Sequence, residues 1–342
     1  MQKTPGDVPA PPPAIMMQLL FGKQLTASLA ALARLGVADY MHGDFTPVED
    51  LAERTGTHAP SLFRVMRMLA SMGVFREGPD RSFALTPVGE LLKTDTSGSL
   101  RYSAIMLGDE WTLRAYEHMV ECIRTGEDGV TKAYGKNVFD LLAERPEQSE
   151  TFQRAMTGGS ALAAGAVTAA YDFSGIRRLA DVGGGYGLLL ASILERNPEM
   201  HGVLFDRPEV VAQVPESRVA ACDCRLTVEA GSFFERVPEG CDAYIMKHII
   251  HDWGDEHCRT ILGLMRKALP ADGRVLLCEL VVTDDPGPTP AKMLDIEMLV
   301  MTVGGKERTE EEFRDLFASA GFRLNRIVPT ERPLCVIEAV PA

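Results

Sequence analysis

A signal peptide, a membrane span, a disulfide framework and a basic face are all missing from this sequence. Met1 to Ala14 holds five prolines and no apolar run, so residues 1–14 read as a disordered leader rather than a secretory signal. The longest weakly polar stretch, Ser160 to Ala170, is far shorter than the ~20 residues that a membrane span requires. A cytoplasmic protein with no membrane partner is expected. The seven cysteines are odd in number, and Cys222-Asp223-Cys224 lacks the two-residue spacing of a redox or zinc pair, so reduced thiols are expected. With 48 acidic against 35 basic residues the formal net charge is -13, which argues against a nucleic-acid partner, since phosphates call for a basic surface.

What is present is an ordinary globular composition, 46% hydrophobic and 24% charged, on a chain of 342 residues, long enough for two domains. From Gln18 to Met41 leucines recur at helical spacing with apolar side chains on more than one face, so the helix needs partners on several sides; burial between two subunits, and hence a homodimer, is expected against the alternative of a bundle within one chain. Thr46 to Leu92 has the order helix, turn at Thr55-Gly56-Thr57, second helix with Leu62, Val65, Met66 and Leu69, then two short strands, a winged-helix pattern. As a DNA reader its second helix would offer only Arg64 and Arg67 in an acidic chain. Helical pattern continues through Leu100–Thr125 and Glu147–Ala170. From Arg178 onward short β-rich runs alternate with helices, which predicts a parallel sheet covered on both faces, with its ligand at the carboxyl ends of the strands.

Asp181-Val182-Gly183-Gly184-Gly185-Tyr186-Gly187 follows the first of these strands, where glycines let the backbone approach a ligand. Counting a dinucleotide fingerprint from Gly183 puts Leu188 at the third glycine, which weakens a nicotinamide oxidoreductase. Asp181 would repel a pyrophosphate but favours the ammonium and sulfonium of S-adenosylmethionine. Asp206, 21 residues after Gly185, closes the second strand where a carboxylate can accept from ribose hydroxyls. Gly231-Ser232-Phe233-Phe234 can hydrogen-bond and stack on adenine, although both rings can equally be core. Past the fourth strand, Lys247-His248-Ile249-Ile250-His251-Asp252-Trp253 places His251 where a base is needed, with Glu279 and Glu307 available to fix its tautomer. His248 and His251 with nearby aspartates lack the H-E-x-x-H or carboxylate-cage pattern of a metal site, so no metal is expected.

These motifs, with Asp272-Gly273-Arg274 opening the strand that carries Glu279 and Gly304-Gly305-Lys306-Glu307-Arg308-Thr309 after it, occur in an order that resembles the plant-type and bacterial small-molecule O-methyltransferases. That family includes caffeic acid, hydroxyindole and polyketide-tailoring enzymes, and the similarity spans roughly residues 15 to 341. The resemblance implies an α/β fold: a Rossmann-like methyltransferase sheet with helices on both faces, preceded by a mostly helical winged-helix dimerisation domain. It implies domains at 15–98 for dimerisation, 99–170 for bridging helices lining the acceptor pocket, and 171–342 for catalysis. It further implies S-adenosyl-L-methionine as cofactor, leaving as S-adenosyl-L-homocysteine, held by Asp181, Gly183, Gly185, Asp206, Gly231, Ser232, Phe233 and Lys247. His251 matches the family base and Glu279 and Glu307 its acidic neighbours, while Phe152, Met156, His248, Asp252 and Met298 match acceptor-side positions. Two departures stand out: many relatives have aspartate where Ser232 stands, and many plant members have tryptophan where His248 stands.

The chemistry limits the acceptor. A phenol near pKa 10 facing a histidine near 6.5 meets a proton transfer uphill by ~3.5 units, or roughly 5 kcal/mol. An alcohol as weakly acidic as water would face roughly 12 kcal/mol on the same arithmetic. A phenolic or enolic hydroxyl of a small aromatic or polyketide-like acceptor is therefore expected, against the alternatives of a family member with other chemistry or a winged-helix regulator.

Overall fold

The computed structural model describes residues 11–222 and 224–342, except the side chains of residues 161 and 162, and the chain divides after Glu110 into two compact units. Most of the leader expected at 1–14 lies outside the described residues. Its end does not: α1 (Pro12–Leu20) already begins at Pro12, because proline at the first helical position forfeits an amide that has no partner there anyway.

In the first unit, the helix expected over Gln18–Met41 is broken. α1 ends at Phe21, α2 (Gly22–Leu35) follows, and a 3-10 turn (Val37–Tyr40) closes the segment. Ala30, Leu32 and Ala33 of α2 are buried, whereas Met16, Leu19, Leu20 and Phe21 are more than half exposed. By length and composition Pro12–Leu35 is long and apolar enough to cross a membrane, with a mean hydropathy of 1.3, so Ser160–Ala170 is not the longest such stretch. The segment shares this with the core helix of a soluble protein and with a signal sequence near the N-terminus, which pass the same test. Behind it β1 (Thr46–Pro47), α3 (Val48–Thr55), α4 (Ala59–Ser71), β2 (Phe75–Glu77) and β3 (Ser82–Leu85) form a helix pair and a three-stranded antiparallel sheet in the order β1-β3-β2. Val48, Leu51, Leu62, Met66, Leu69 and Phe83 make the core that joins them. Two short helices, α5 (Pro87–Glu90) and α6 (Arg101–Leu107), complete the unit.

The second unit opens with five helices: α7 (Glu110–Tyr116), α8 (Met119–Thr125), α9 (Gly129–Tyr134), α10 (Val138–Ala143) and the long α11 (Pro146–Ala170). The helices from residue 111 on therefore belong to the same compact unit as the large sheet. That sheet is built by β4 (Arg178–Val182), α12 (Leu188–Arg196), β5 (His201–Asp206), α13 (Pro208–Val211), α14 (Glu216–Ala220), β6 (Leu226–Ala230), β7 (Ala243–Lys247), α15 (Asp255–Ala268), β8 (Arg274–Val282), α16 (Pro290–Met301), β9 (Arg308–Thr309), α17 (Glu310–Ser319), β10 (Phe322–Pro329) and β11 (Leu334–Pro341). Its order is β10-β11-β8-β7-β4-β5-β6, with β4 to β8 parallel, β10 and β11 antiparallel, and β9 added beside β8.

Alternation along the strands divides the interior into two cores. Ala243 and Ile245 of β7 and Leu276 and Cys278 of β8 face α11 and α12, packing with Val167, Leu190 and Ile193. Their neighbours Tyr244, Met246, Val275 and Leu277 face α15 and α17, packing with Ile261, Leu262, Met265, Phe313 and Phe317. Strands buried on both faces are apolar almost without interruption, as helix-covered parallel sheets require. The chain reverses direction across the sheet between β4 and β7, and the crevice at their carboxyl ends is where the site residues gather.

Candidate functional site

The glycine loop leaves β4 at Val182. Gly183 and Gly185 have φ of +73° and +58°, a left-handed backbone that side chains rarely adopt. A Cβ at Gly183 would strike Ile249 at 2.6 Å, whereas one at Gly185 would meet nothing within 4 Å, so the loop is packed from below and open above. Asp206, at the end of β5, fixes the open part: its Oδ2 accepts from the Gly185 N–H at 2.8 Å and its Oδ1 from the Arg207 N–H at 2.7 Å. Asp181 lies under the loop, almost wholly buried, and its Oδ2 has no hydrogen-bond partner among the described residues. Burial pushes its pKa up to about 7, Asp206 adds to that, and the Lys247 ammonium opposes it. An orphaned carboxylate oxygen beneath an open glycine turn is a receptor for a cation. Lys247 closes β7, and its pKa is lowered by burial despite the carboxylates near it.

After β6, packing alone accounts for Gly231, since a Cβ there would come within 2.7 Å of the Phe205 ring. Ser232 Oγ accepts from the Phe234 N–H at 3.3 Å, which turns the chain and directs Phe233 and Phe234 to Trp253 at centroid distances of 6.2 and 4.7 Å. Phe139 on α10 stacks on Trp253 at 5.5 Å and meets Phe152 of α11 edge-on at 6.5 Å. An aromatic chain thus runs from α11 to the turn that carries His251. Met156 follows Phe152 by one helical turn and is half-buried, and Met298 is buried on α16.

Beyond β7 the chain leaves the sheet while β8 continues. The space this opens is filled by Glu279, which is completely buried and accepts at Oε1 from the Ile249 and Ile250 N–H groups at 3.1 and 3.0 Å. Those bonds shape the 3-10 turn Ile250–Asp252 and bury His251 within it. His251 Nδ1 bonds Glu307 Oε1 at 2.6 Å and stands 3.7 Å from Glu279 Oε2, while Nε2 is 3.5 Å from Asp252 Oδ1. Burial works against its charge, but Glu279, Asp252 and Glu307 outweigh burial and raise its pKa to about 9. The carboxylates diverge in response. Glu279 is pushed up by burial yet brought down to about 2 by the two histidines and the amides it accepts from, whereas burial and its acidic neighbours raise Asp252 to about 7. Burial also raises Glu307. Its N–H donates to Asp295 Oδ1 on α16 at 2.9 Å, which ties α16 to the site.

His248, His251 and Glu279 bring three ligand-capable atoms within 4.8 Å of one another. Lys247 puts a positive charge against the same group, and His251 Nδ1 and Glu279 Oε1 are already engaged, so the cluster suits proton movement better than a dication.

Arg308 has no role legible in the sequence beyond its place in the Gly304–Thr309 segment. It is 1% exposed, donates from Nη1 to Ile250 O at 3.0 Å and from Nη2 to Trp253 O at 2.9 Å, and pairs with Asp255 at 2.7 Å. A buried arginine therefore clamps both ends of the turn that holds His251. The groups it clamps on the turn are backbone carbonyls, which carry no residue signature, while Asp255 pairs its charge.

Comparison with known proteins identifies the family. A family model for an O-methyltransferase domain matches residues 116–323, and one for an O-methyltransferase dimerisation domain matches residues 17–95. The chain is 41% identical over 330 residues, 96% of each chain, to a phenazine O-methyltransferase of Lysobacter antibioticus. It is 37% identical to the 3-amino-4-hydroxybenzoate 4-O-methyltransferase of Streptomyces cremeus, over 91% of this chain and 86% of that one. Among solved structures it is similar to LaPhzM, with a TM-score of 0.91 at 40% identity over 97% and 100% of the two chains. It is also similar to CalO1, a methyltransferase of calicheamicin biosynthesis solved with S-adenosylhomocysteine, with a TM-score of 0.85 at 33% identity over 98% and 100%.

Proposed function

The chain belongs to the S-adenosylmethionine-dependent O-methyltransferases of natural-product chemistry, and from that membership we propose that it methylates a phenolic or enolic hydroxyl of a small aromatic or polyketide-like acceptor, with His251 as general base. The observation that carries this is the 2.6 Å bond between His251 Nδ1 and Glu307. It leaves Nε2 as the nitrogen that exchanges a proton with the acceptor.

Bound S-adenosylmethionine supplies an electrophilic methyl group that needs no further activation. This chain has two tasks. It holds the cofactor through Asp181, the Gly183–Gly185 turn, Asp206 and Lys247, with Ser232 and Phe233 toward the adenosine side, and it takes a proton from the acceptor oxygen as the oxygen attacks. The orphaned Asp181 Oδ2 fits the cationic end of such a cofactor. His251 then holds the proton, its charge matched by Glu279 and Glu307. Once the ring is neutral, above about pH 9, a phenol near pKa 10 lies only about 1 unit from it, or roughly 1 kcal/mol, against ~3.5 units for an ordinary histidine. Phe152, Met156, Asp252 and Met298 line the acceptor side in this proposal, and the first unit pairs two chains through α1 and α2.

Replacing His251 with alanine tests the assignment. Single-turnover methyl transfer to a naphthol should fall on the order of 10²–10⁴-fold while cofactor affinity by calorimetry stays within about twofold. Full activity in His251→Ala would show that the enzyme aligns an already ionised acceptor.

A further inference from the structure

A second imidazole lies beside His251, and proton transfer does not use it. His248 is the first residue past β7; its N–H donates to Cys278 O at 3.2 Å, and its φ of +53° turns the ring out of the strand direction. The ring comes to rest alongside His251, with centroids 5.0 Å apart and planes 30° apart. Both rings present Nδ1 to the same buried oxygen, Glu279 Oε2, at 3.5 Å from His248 and 3.7 Å from His251. In each ring Nε2 therefore lies on the edge turned away from Glu279.

The rings differ in what they can do there. The His251 side chain is 7% exposed and that of His248 is 24% exposed, so the second ring is the more accessible of the two. His251 is raised to about 9, whereas burial and the Lys247 charge lower His248 to about 4. His248 Nδ1 makes no hydrogen bond among the described residues, but the Glu279 carboxylate 3.5 Å away favours the proton on that nitrogen, which leaves Nε2 with a bare lone pair that accepts a hydrogen bond but gives none. A turn that served the backbone alone would have no use for this side chain, since asparagine or glycine holds φ near +53° with less strain.

We propose that His248 selects the acceptor: its Nε2, next to the base, takes a hydrogen bond from an amino or hydroxyl group ortho to the hydroxyl being methylated. The inference rests on the O-methyl transfer proposed above and specifies its substrate class as ortho-aminophenols and catechol-like aromatics. Two imidazoles side by side, their planes 30° apart, match two adjacent polar substituents on one planar ring, one giving its proton to His251 and the other donating to His248. A ring without the second donor would leave the His248 lone pair facing apolar carbon, and sites built to hydrogen-bond a substrate group reject the analogue that lacks it.

The test compares wild type, His248→Phe and His248→Asn on 3-amino-2-naphthol and 2-naphthol, with cofactor affinity as a control. Wild type should favour the amino-naphthol by about tenfold in kcat/KM, the worth of one hydrogen bond in a half-open site. His248→Phe keeps a flat ring without an acceptor and should lower kcat/KM for the amino-naphthol about tenfold more than for 2-naphthol, chiefly through KM. His248→Asn keeps an acceptor oxygen and suits the left-handed backbone, so it should retain part of the preference. Equal turnover of the two naphthols by wild type, or equal losses on both in His248→Phe, overturns the inference while leaving O-methyl transfer in place. Wild type that binds S-adenosylmethionine but methylates neither naphthol overturns the phenolic proposal and this inference with it.

Discussion

The three carboxylates around His251 make its proton affinity the quantity to perturb. Glu279 is the informative partner because Glu279→Gln keeps an oxygen to accept from the Ile249 and Ile250 N–H groups while removing the charge 3.7 Å from His251 Nδ1. At an effective dielectric of about 20 a charge pair at that distance is worth about 4 kcal/mol, or about 3 pKa units, an upper limit because the other carboxylates respond. A fall of at least about 1 unit is expected. The sign follows from the mechanism: only the neutral imidazole accepts a proton, so kcat should rise with pH and level off above about 9 in wild type. In Glu279→Gln the rise should finish at about 8 or below, and the alkaline plateau should be lower because a less basic imidazole takes the proton less readily. Stopped-flow or quenched single-turnover rates from pH 6 to 10 measure both. Using one acceptor for both enzymes cancels the acceptor's own ionisation from the difference. A wild-type limb near 6.5, or two limbs that coincide, would refute the claim that the acidic neighbours set the strength of the base.

Asp206→Ala removes the carboxylate proposed to accept from the ribose hydroxyls and the bond that holds Gly185, so calorimetry should show cofactor binding weakened by roughly 1.5–3 kcal/mol. An unchanged dissociation constant would dismiss the assignment. Arg308→Met strips the donors from Ile250 O and Trp253 O, and chemical denaturation should show a loss of about 2–4 kcal/mol together with lower kcat. Light scattering at micromolar concentration should give twice the 37.3 kDa chain mass, and a monomer there would contradict pairing through α1 and α2.

Much of the site could be read from the chain because its residues act through their side chains. The Asp181–Gly187 loop, Asp206 and Lys247 stand at strand ends, where β/α alternation alone places ligand-facing groups, and His251, Glu279 and Glu307 lie in or beside the segments that adjoin those ends. Three features escaped for identifiable physical reasons. Arg308 holds the turn through backbone carbonyls, which any residue supplies, and the Asp255 carboxylate that pairs with it lies 53 residues away. Phe139 reaches Trp253 and Phe152 across more than a hundred residues and about a dozen residues respectively, on a helix of six residues too short to show periodicity. The final strands β10 and β11 mix polar and apolar residues, as in Arg323, Asn325, Arg326 and Glu338, because they lie at the antiparallel end of the sheet rather than its parallel centre. At the other end of the chain, the break at Phe21 left α1 and α2 looking like one helix, because both sides of it are apolar.

The left-handed backbone at His248 also bears on how this enzyme can change over generations. Holding a histidine there costs of order 1 kcal/mol, which glycine or asparagine would largely recover. Laboratory selection for heat resistance alone should therefore drift toward His248→Gly or His248→Asn, and the lineage should become sturdier and less discriminating at the same step. Thermostability and acceptor choice would be inherited through a single codon, so a screen that rewards only the first will erode the second, and it will also remove one of the two imidazoles that hold Glu279 ionised beside the base.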